Sequence, residues 1–119
     1  MAKFDLEPLN AIDGFLGACL VDSSSGMMLG ATGGGPVNLE VAAAGNTEVV
    51  RAKRKTMDSL KLDDQIEDIL ISLGKQYHII RPLGSAAVLF LYIVMDRNKS
   101  NLAMARHEVR AFEKTLDLS

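Results

Sequence analysis

The chain is short of cysteine, aromatic residues and net charge, and each shortage excludes a class of protein. The single thiol, Cys19, cannot form a disulfide within the chain, and no secretory signal opens the sequence, so we expect a reduced, cytoplasmic setting. A formal charge of −2 does not fit the basic footprint of a nucleic-acid-binding protein. The apolar run at residues 86–95 is too short to cross a bilayer as a helix, so no membrane insertion is expected.

The chain also lacks the motifs that carry catalysis. Residues 30–35 are glycine-rich but have neither the lysine nor the following Ser/Thr of a P-loop, which favours a turn before a helix. The pair His107-Glu108 begins like a zinc helix motif, but Ala111 stands where the second histidine is needed. His78 lies between apolar residues and is predicted to be a packed or edge histidine rather than a general base. We therefore predict no catalytic residue, no metal site and no cofactor, and a protein that is not an enzyme.

Hydrophobic periodicity predicts one α+β domain over residues 1–119. The predicted order is a short helix after Asp5, two strands, a long helix, three strands and a final helix capped by Ser100. Short links between successive strands make the sheet largely antiparallel. Several strands are apolar on both faces, so helices must cover both sides, which gives an α-β-α sandwich. The strands are predicted at residues 15–22, 27–31, 67–73, 76–82 and 86–95, and the long helix at residues 38–60.

The long helix has more apolar surface than one core requires. Asn38 is a good N-cap, and a projection at ~100° per residue places the apolar and small residues in one arc of roughly 200°, twice the usual stripe. Half of this arc is bulky and suits a core; the other half is small and suits a close second helix. The remaining arc, which includes Thr47, is predicted to meet water. The bulky residues are Leu39, Val50 and Met57, and the small ones are Ala42, Gly45, Ala52 and Thr56.

Three residues of the apolar arc need their own explanation. Gly45 in a helix interior costs ~1 kcal/mol relative to alanine, and the close approach of another helix would account for it. Asn46 and Lys53 are polar. Either both reach outward or bond to a turn carbonyl, or a polar residue here fixes the register of a helix pair. The sequence leaves these two alternatives open.

Four segments together resemble the roadblock (dynein light-chain) family, and the likeness covers nearly the whole chain. They are residues 14–22 (GFLGACLVD) with the following Ser-Gly hairpin, the long mid-chain helix, residues 67–73 (EDILISL) and residues 101–106 (NLAMAR). The triple glycine before the long helix and the alanine-rich start of that helix are variations of this chain.

The resemblance implies a profilin-like roadblock fold. Its sheet has five antiparallel strands in the order 2-1-5-4-3, with the long helix on one face and the terminal helices on the other. It also implies a homodimer in which the long helices pair and the third strands join edge to edge. The interface residues so implied are Val41, Ala42, Gly45, Asn46, Val49, Ala52, Lys53 and Thr56 on the helix, and Asp68, Ile69, Leu70, Ile71 and Ser72 on the strand.

The same resemblance implies a non-catalytic regulatory or scaffold protein that binds and modulates a small Ras-like GTPase. Bacterial relatives resemble the partner that stimulates GTP hydrolysis by a polarity GTPase, and they act by reshaping the GTPase, so no arginine finger is assigned. One alternative is a structural adaptor or motor-associated light chain without effect on GTP turnover. A second is a small-ligand sensor, which the shortage of aromatic and polar pocket residues disfavours.

Overall fold

The computed structural model describes residues 4–84 and 86–116, with only the backbone for residues 86 and 87. The five strands form one antiparallel sheet in the order β2-β1-β5-β4-β3, which confirms the predicted topology. The elements are a 3-10 helix at Glu7–Ala11, β1 at Phe15–Asp22, β2 at Met27–Gly33, α1 at Leu39–Ser59, β3 at Ile69–Ser72, β4 at Gln76–Leu83, β5 at Ala86–Asp96 and α2 at Leu102–Glu113.

Helices cover both faces of the sheet, as strands with apolar residues on both faces require. The 3-10 helix and α2 pack on one face, where Leu9, Val109 and Phe112 meet residues of β1, β4 and β5. On the other face α1 contributes Leu39, Ala43 and Val50 to a second core, with the alternate residues of the same strands. Successive strand residues point to opposite faces, so the central strands supply both cores. The α-β-α sandwich is thereby confirmed.

The two strands at the sheet edges differ from the predicted lengths. β3 has four residues instead of seven, because the segment just before it is held by side chains of α2 rather than by strand pairing. β2 extends two residues further, to Gly33, which pairs with Gly17. A Cβ on Gly17 would lie 2.6 Å from the backbone of Gly34, so the close approach of these two segments depends on glycine.

Helix α1 begins and ends where the sequence predicted. The Asn38 side chain accepts a hydrogen bond from the Val41 amide at 3.1 Å, the usual N-cap arrangement. Leu39 and Val50 are buried, whereas Met57 is only half-buried. The prediction that Thr47 meets water is wrong. Thr47 is buried, and its hydroxyl donates to the carbonyl of Ala43 at 2.8 Å, which removes the cost of burying it.

The cap of the last helix is also a correction. Asn101, not Ser100, caps α2: its side chain accepts from the Met104 amide at 3.1 Å. The Ser100 hydroxyl is buried and makes no hydrogen bond to any residue that the structure describes. Both types are good caps, so the sequence alone does not separate adjacent candidates.

Candidate functional site

The outward side of α1 carries a row of apolar and small residues that its own core does not use. Val41 is 67% exposed and Val49 is 37% exposed. The other residues of the same row, Gly45, Ala52 and Thr56, are small. Their spacing of three and four places them in line on a helix. We call this row the α1 stripe; it consists of Val41, Gly45, Val49, Ala52 and Thr56, all exposed.

No contact within the chain requires glycine at position 45. A Cβ built on it meets no atom within 4 Å, so alanine would fit freely in the isolated chain. A helix-interior glycine nevertheless costs about 1 kcal/mol relative to alanine. The surface in front of Gly45 is therefore unusually open for backbone approach from outside.

The other predicted helix residues divide between the sheet and solvent. Ala42 is half-buried and packs against the core under α1, and Lys53 is exposed. Asn46 is half-buried and approaches the hydroxyl of Tyr92 on β5. Burial raises the pKa of Tyr92, and the Asn46 side chain partly opposes that shift. Asn46 thus faces the sheet, and Lys53 faces water.

Strand β3 is an open edge of the sheet. It pairs with β4 on one side only. Ile69 and Ile71 face the α1 side, Leu70 faces α2, and all three are half-buried, while Ser72 is exposed. Native edges are commonly protected by charges, by proline or by being very short; this strand is short, with four residues, but carries neither a charge nor a proline. The edge is therefore suited to pairing with another strand.

Asp68 has a partner within the chain. Its two carboxylate oxygens accept from Nε and Nη2 of Arg106 on α2, both at 3.0 Å. The Asp68 side chain is only 12% exposed. Of the predicted strand residues, Asp68 thus fixes the start of β3 against α2 and does not point toward the open edge.

Helix α1 and the side chains of Ile69 and Ile71 lie on the same face of the sheet. The closest contacts of α1 are with β1 and β2, at the far side of the sheet from β3. Ile69, Ile71 and His78 on the β3–β4 side are only half-buried as a result. We call this region the seam: the α1 stripe together with Ile69, Ile71 and Ser72.

Three polar side chains of β4 and β5 form a hydrogen-bonded network on the α1 side of the sheet, beside the seam. His78 Nδ1 is 3.0 Å from the Tyr92 hydroxyl, and His78 Nε2 is 2.8 Å from Gln76 Oε1. The two rings also meet edge to face, with centroids 5.5 Å apart. Burial lowers the pKa of His78. The sequence indicated a packed histidine. Its partner Tyr92 was missed because the β4–β5 register is not visible in a pattern of residue types, whereas Gln76 lies two positions away on the same strand, a spacing that the sequence does display.

Reactive groups elsewhere are inert or scattered. Burial raises the pKa of Cys19 to about 12, so its thiolate is scarcely populated near neutrality. Among the residues that the structure describes, no group of three or more His, Cys, Asp or Glu is arranged to hold a metal ion. No helix in the described ranges is long and apolar enough to cross a membrane.

Two of the surface hollows bear on the small-ligand alternative. One, of about 260 Å³, lies between the end of α1 and the β4–β5 turn and includes Met57, Leu62 and Pro82. The other, of about 440 Å³, lies between the 3-10 helix and α2 and includes Pro8 and Phe112. Ligand sites occupy roughly 300–1,000 Å³ and need a few convergent polar groups. The first hollow is below that range, and the second is almost entirely apolar. Neither favours a small-ligand sensor.

The strand order and the division of the helices between the two faces define the roadblock fold. Solved structures of the same fold include the roadblock/LC7 domain from Streptomyces avermitilis, with a TM-score of 0.78 and 15% identity over 92% of this chain and 88% of that one. MglB of Myxococcus xanthus gives a TM-score of 0.75 and 15% identity over 91% and 75%. An MglB structure with a tetrameric arrangement gives 0.77 and 16% over 93% and 81%.

The likeness is one of structure rather than sequence. No protein-family model matches the chain, and no curated protein matches it in sequence. At 15–16% identity the comparisons establish the shared fold.

Proposed function

We propose that this chain is a non-catalytic homodimer that binds a small Ras-like GTPase and modulates its GTP turnover. The observation that carries the proposal is the seam: an exposed apolar stripe on α1 beside an unprotected strand edge, on a fold shared with MglB. The roadblock resemblance supports the choice of a GTPase partner, and the exposed surface of the chain supports the dimer.

A twofold antiparallel pairing of α1 with its copy uses the stripe best. With the axis near Val49, Gly45 lies against Ala52 of the copy, so that small residues meet where the two backbones come closest. In this register Glu40, in the first turn of one helix, lies toward the second half of the other, which carries Arg54 and Lys55.

The open edge of β3 extends the same interface. Pairing of two β3 strands would satisfy the free backbone groups of both edges and continue the sheet from one subunit into the other. The half-buried side chains of Ile69 and Ile71 would then be covered from the partner's side. Asp68 stabilises this arrangement indirectly, because its ion pair with Arg106 holds the beginning of the edge strand in place.

The test of function uses a small GTPase encoded near this chain's gene. Binding is measured by calorimetry with the GDP-bound and GTP-analogue-bound forms, and hydrolysis is measured in single-turnover reactions with and without this protein. The proposal expects binding and a changed rate of hydrolysis. Binding without a rate change supports the structural-adaptor alternative instead. If the GTPase does not bind and its rate of hydrolysis does not change, the regulatory function and the structural-adaptor alternative are both contradicted.

A further inference from the structure

We propose that the seam is sensitive to pH: protonation of His78 reverses its hydrogen bond with a buried hydroxyl, adds an unpaired charge beside the seam and weakens self-association of the chain as the pH falls. This inference deepens the proposed function, because it assigns a form of regulation to the proposed dimer interface and depends on that dimer.

The position of His78 connects it to the seam. His78 pairs directly with Ile71 of β3, and directly opposed residues share one face of a sheet. That face is the α1 side, where Ile71 packs. His78 is therefore one strand in from the open edge, half-buried in the single chain, and on the face that a partner's α1 would cover.

The hydrogen bonds around His78 fit the neutral ring. Gln76 Oε1 can only accept, so Nε2 carries the proton, and Nδ1 then accepts from the Tyr92 hydroxyl. Both ring nitrogens are satisfied. A second proton would sit on Nδ1, which would then donate to the Tyr92 hydroxyl, so the hydroxyl hydrogen would have to turn to another acceptor. Tyr92 is 2% exposed, and the side chain beside its hydroxyl is that of Asn46, so the exchange depends on Asn46 rather than on bulk water.

No opposite charge stabilises a protonated His78. Among the described residues no carboxylate forms an ion pair with it. The elements around it carry five ionisable groups. Two are buried and neutral, the phenol of Tyr92 on β5 and the thiol of Cys19 on β1. The other three are Lys53 on α1, Asp96 at the end of β5 opposite Gln76, and Asp68 just before β3. Asp96 accepts from the Asn98 amide, and Asp68 is turned to Arg106 on the other face.

The sign of the effect follows from burial. Burial already lowers the pKa of His78 in the single chain, and a partner subunit would remove more water from the ring. The free chain then binds protons more readily than the dimer. The dimer is therefore strongest above the pKa of the free chain and weakens as the pH falls through it. Each dimer has two copies of His78, so log Kd can change by up to about two per pH unit.

The experiment is sedimentation equilibrium of the full chain between pH 7.5 and 5.5, with His78→Asn and His107→Asn as matched variants. The chain has two histidines, and His107 is exposed on α2, away from the seam. We expect Kd of the wild type and of His107→Asn to rise as the pH falls below about 6.5, because the pKa of His78 lies below its usual value. Kd of His78→Asn should stay nearly constant, because its amide remains neutral and can still accept from Tyr92.

The outcomes separate this inference from the dimer itself. A dimer whose Kd does not depend on pH, or whose dependence survives His78→Asn, overturns the inference and leaves the dimer intact. A monomer at every pH overturns both. Because asparagine is a poor strand residue, His78→Gln is measured beside it, and circular dichroism checks both folds. An NMR titration of the His78 ring must also give a lower pKa in the dimer than in a monomeric Gly45→Arg variant; equal values contradict the inference.

Discussion

Asp68 and Arg106 form a two-pronged ion pair that ties the start of the edge strand β3 to helix α2, with both N–O distances at 3.0 Å. The Asp68 side chain is largely buried, whereas the second ion pair between these segments, Glu67 with Arg110, is exposed on both sides. The two pairs lie close together and differ in burial and in geometry, because Arg106 makes two bonds and Arg110 makes one, at 3.4 Å. They therefore provide a matched comparison.

Arg106→Ala should lower the free energy of unfolding by about 1–3 kcal/mol, because it leaves a largely buried carboxylate without its donors. Arg110→Ala should change it by less than about 1 kcal/mol, since exposed ion pairs contribute little. Urea denaturation of the three proteins at one concentration measures both. Equal losses in the two variants would show that burial of the Asp68 pair has no energetic consequence.

The cap of α2 gives a second matched comparison. Asn101→Ala should cost about 1 kcal/mol, because the Met104 amide loses its side-chain acceptor. Ser100→Ala should be neutral or stabilising, because it removes a buried hydroxyl that bonds to no described residue. Thermal unfolding of both variants checks the assignment. A larger loss for Ser100→Ala than for Asn101→Ala would reverse it.

Cys19 should resist thiol reagents until the chain unfolds. With a pKa of about 12, on the order of one thiol in ten thousand is ionised at pH 8, and the side chain is fully buried. We expect a chromogenic disulfide reagent to label the protein only across its urea transition, with the fully unfolded chain as the positive control. Rapid labelling in native buffer would mean that β1 is not covered on the α1 side.

Gly45→Ala should have opposite effects on folding and association. The methyl group meets no atom of its own chain, so helix propensity should stabilise the isolated chain by about 1 kcal/mol. The same methyl lies where the partner helix comes closest, so Kd of the dimer should rise. Unfolding of dilute, monomeric protein and sedimentation at higher concentration measure the two effects separately. A variant that gains stability and also dimerises more tightly would exclude close packing at Gly45.

Local patterns predicted much of the fold. Asn38 after Gly-Pro marked the start of α1 correctly, and the two-sided apolar strands indicated helices on both faces. The division of α1 into a core side and a stripe was largely right, since Leu39 and Val50 are buried and Gly45 and Ala52 are exposed. Such features depend on helix and strand periods, which a sequence displays directly.

The errors arose where tertiary contacts override local preference. Thr47 was assigned to water because it is polar, but its hydroxyl bonds to its own helix and so can be buried. The third strand was predicted to begin at Glu67, but Asp68 bonds to Arg106, 38 positions away, and β3 begins at Ile69. The contacts of His78 with Tyr92 and Gln76 depend on strand register and ring orientation. A pattern of residue types contains neither.

The most direct test of the seam is sedimentation equilibrium of the wild type beside Gly45→Arg and Ala103→Arg. Both substitutions put arginine at a small, exposed helical position, but Ala103 lies on α2, on the opposite face of the sheet. We predict dimers for the wild type and for Ala103→Arg, and a monomer with unchanged circular dichroism for Gly45→Arg. A Gly45→Arg protein that remains as dimeric as the wild type would contradict the account.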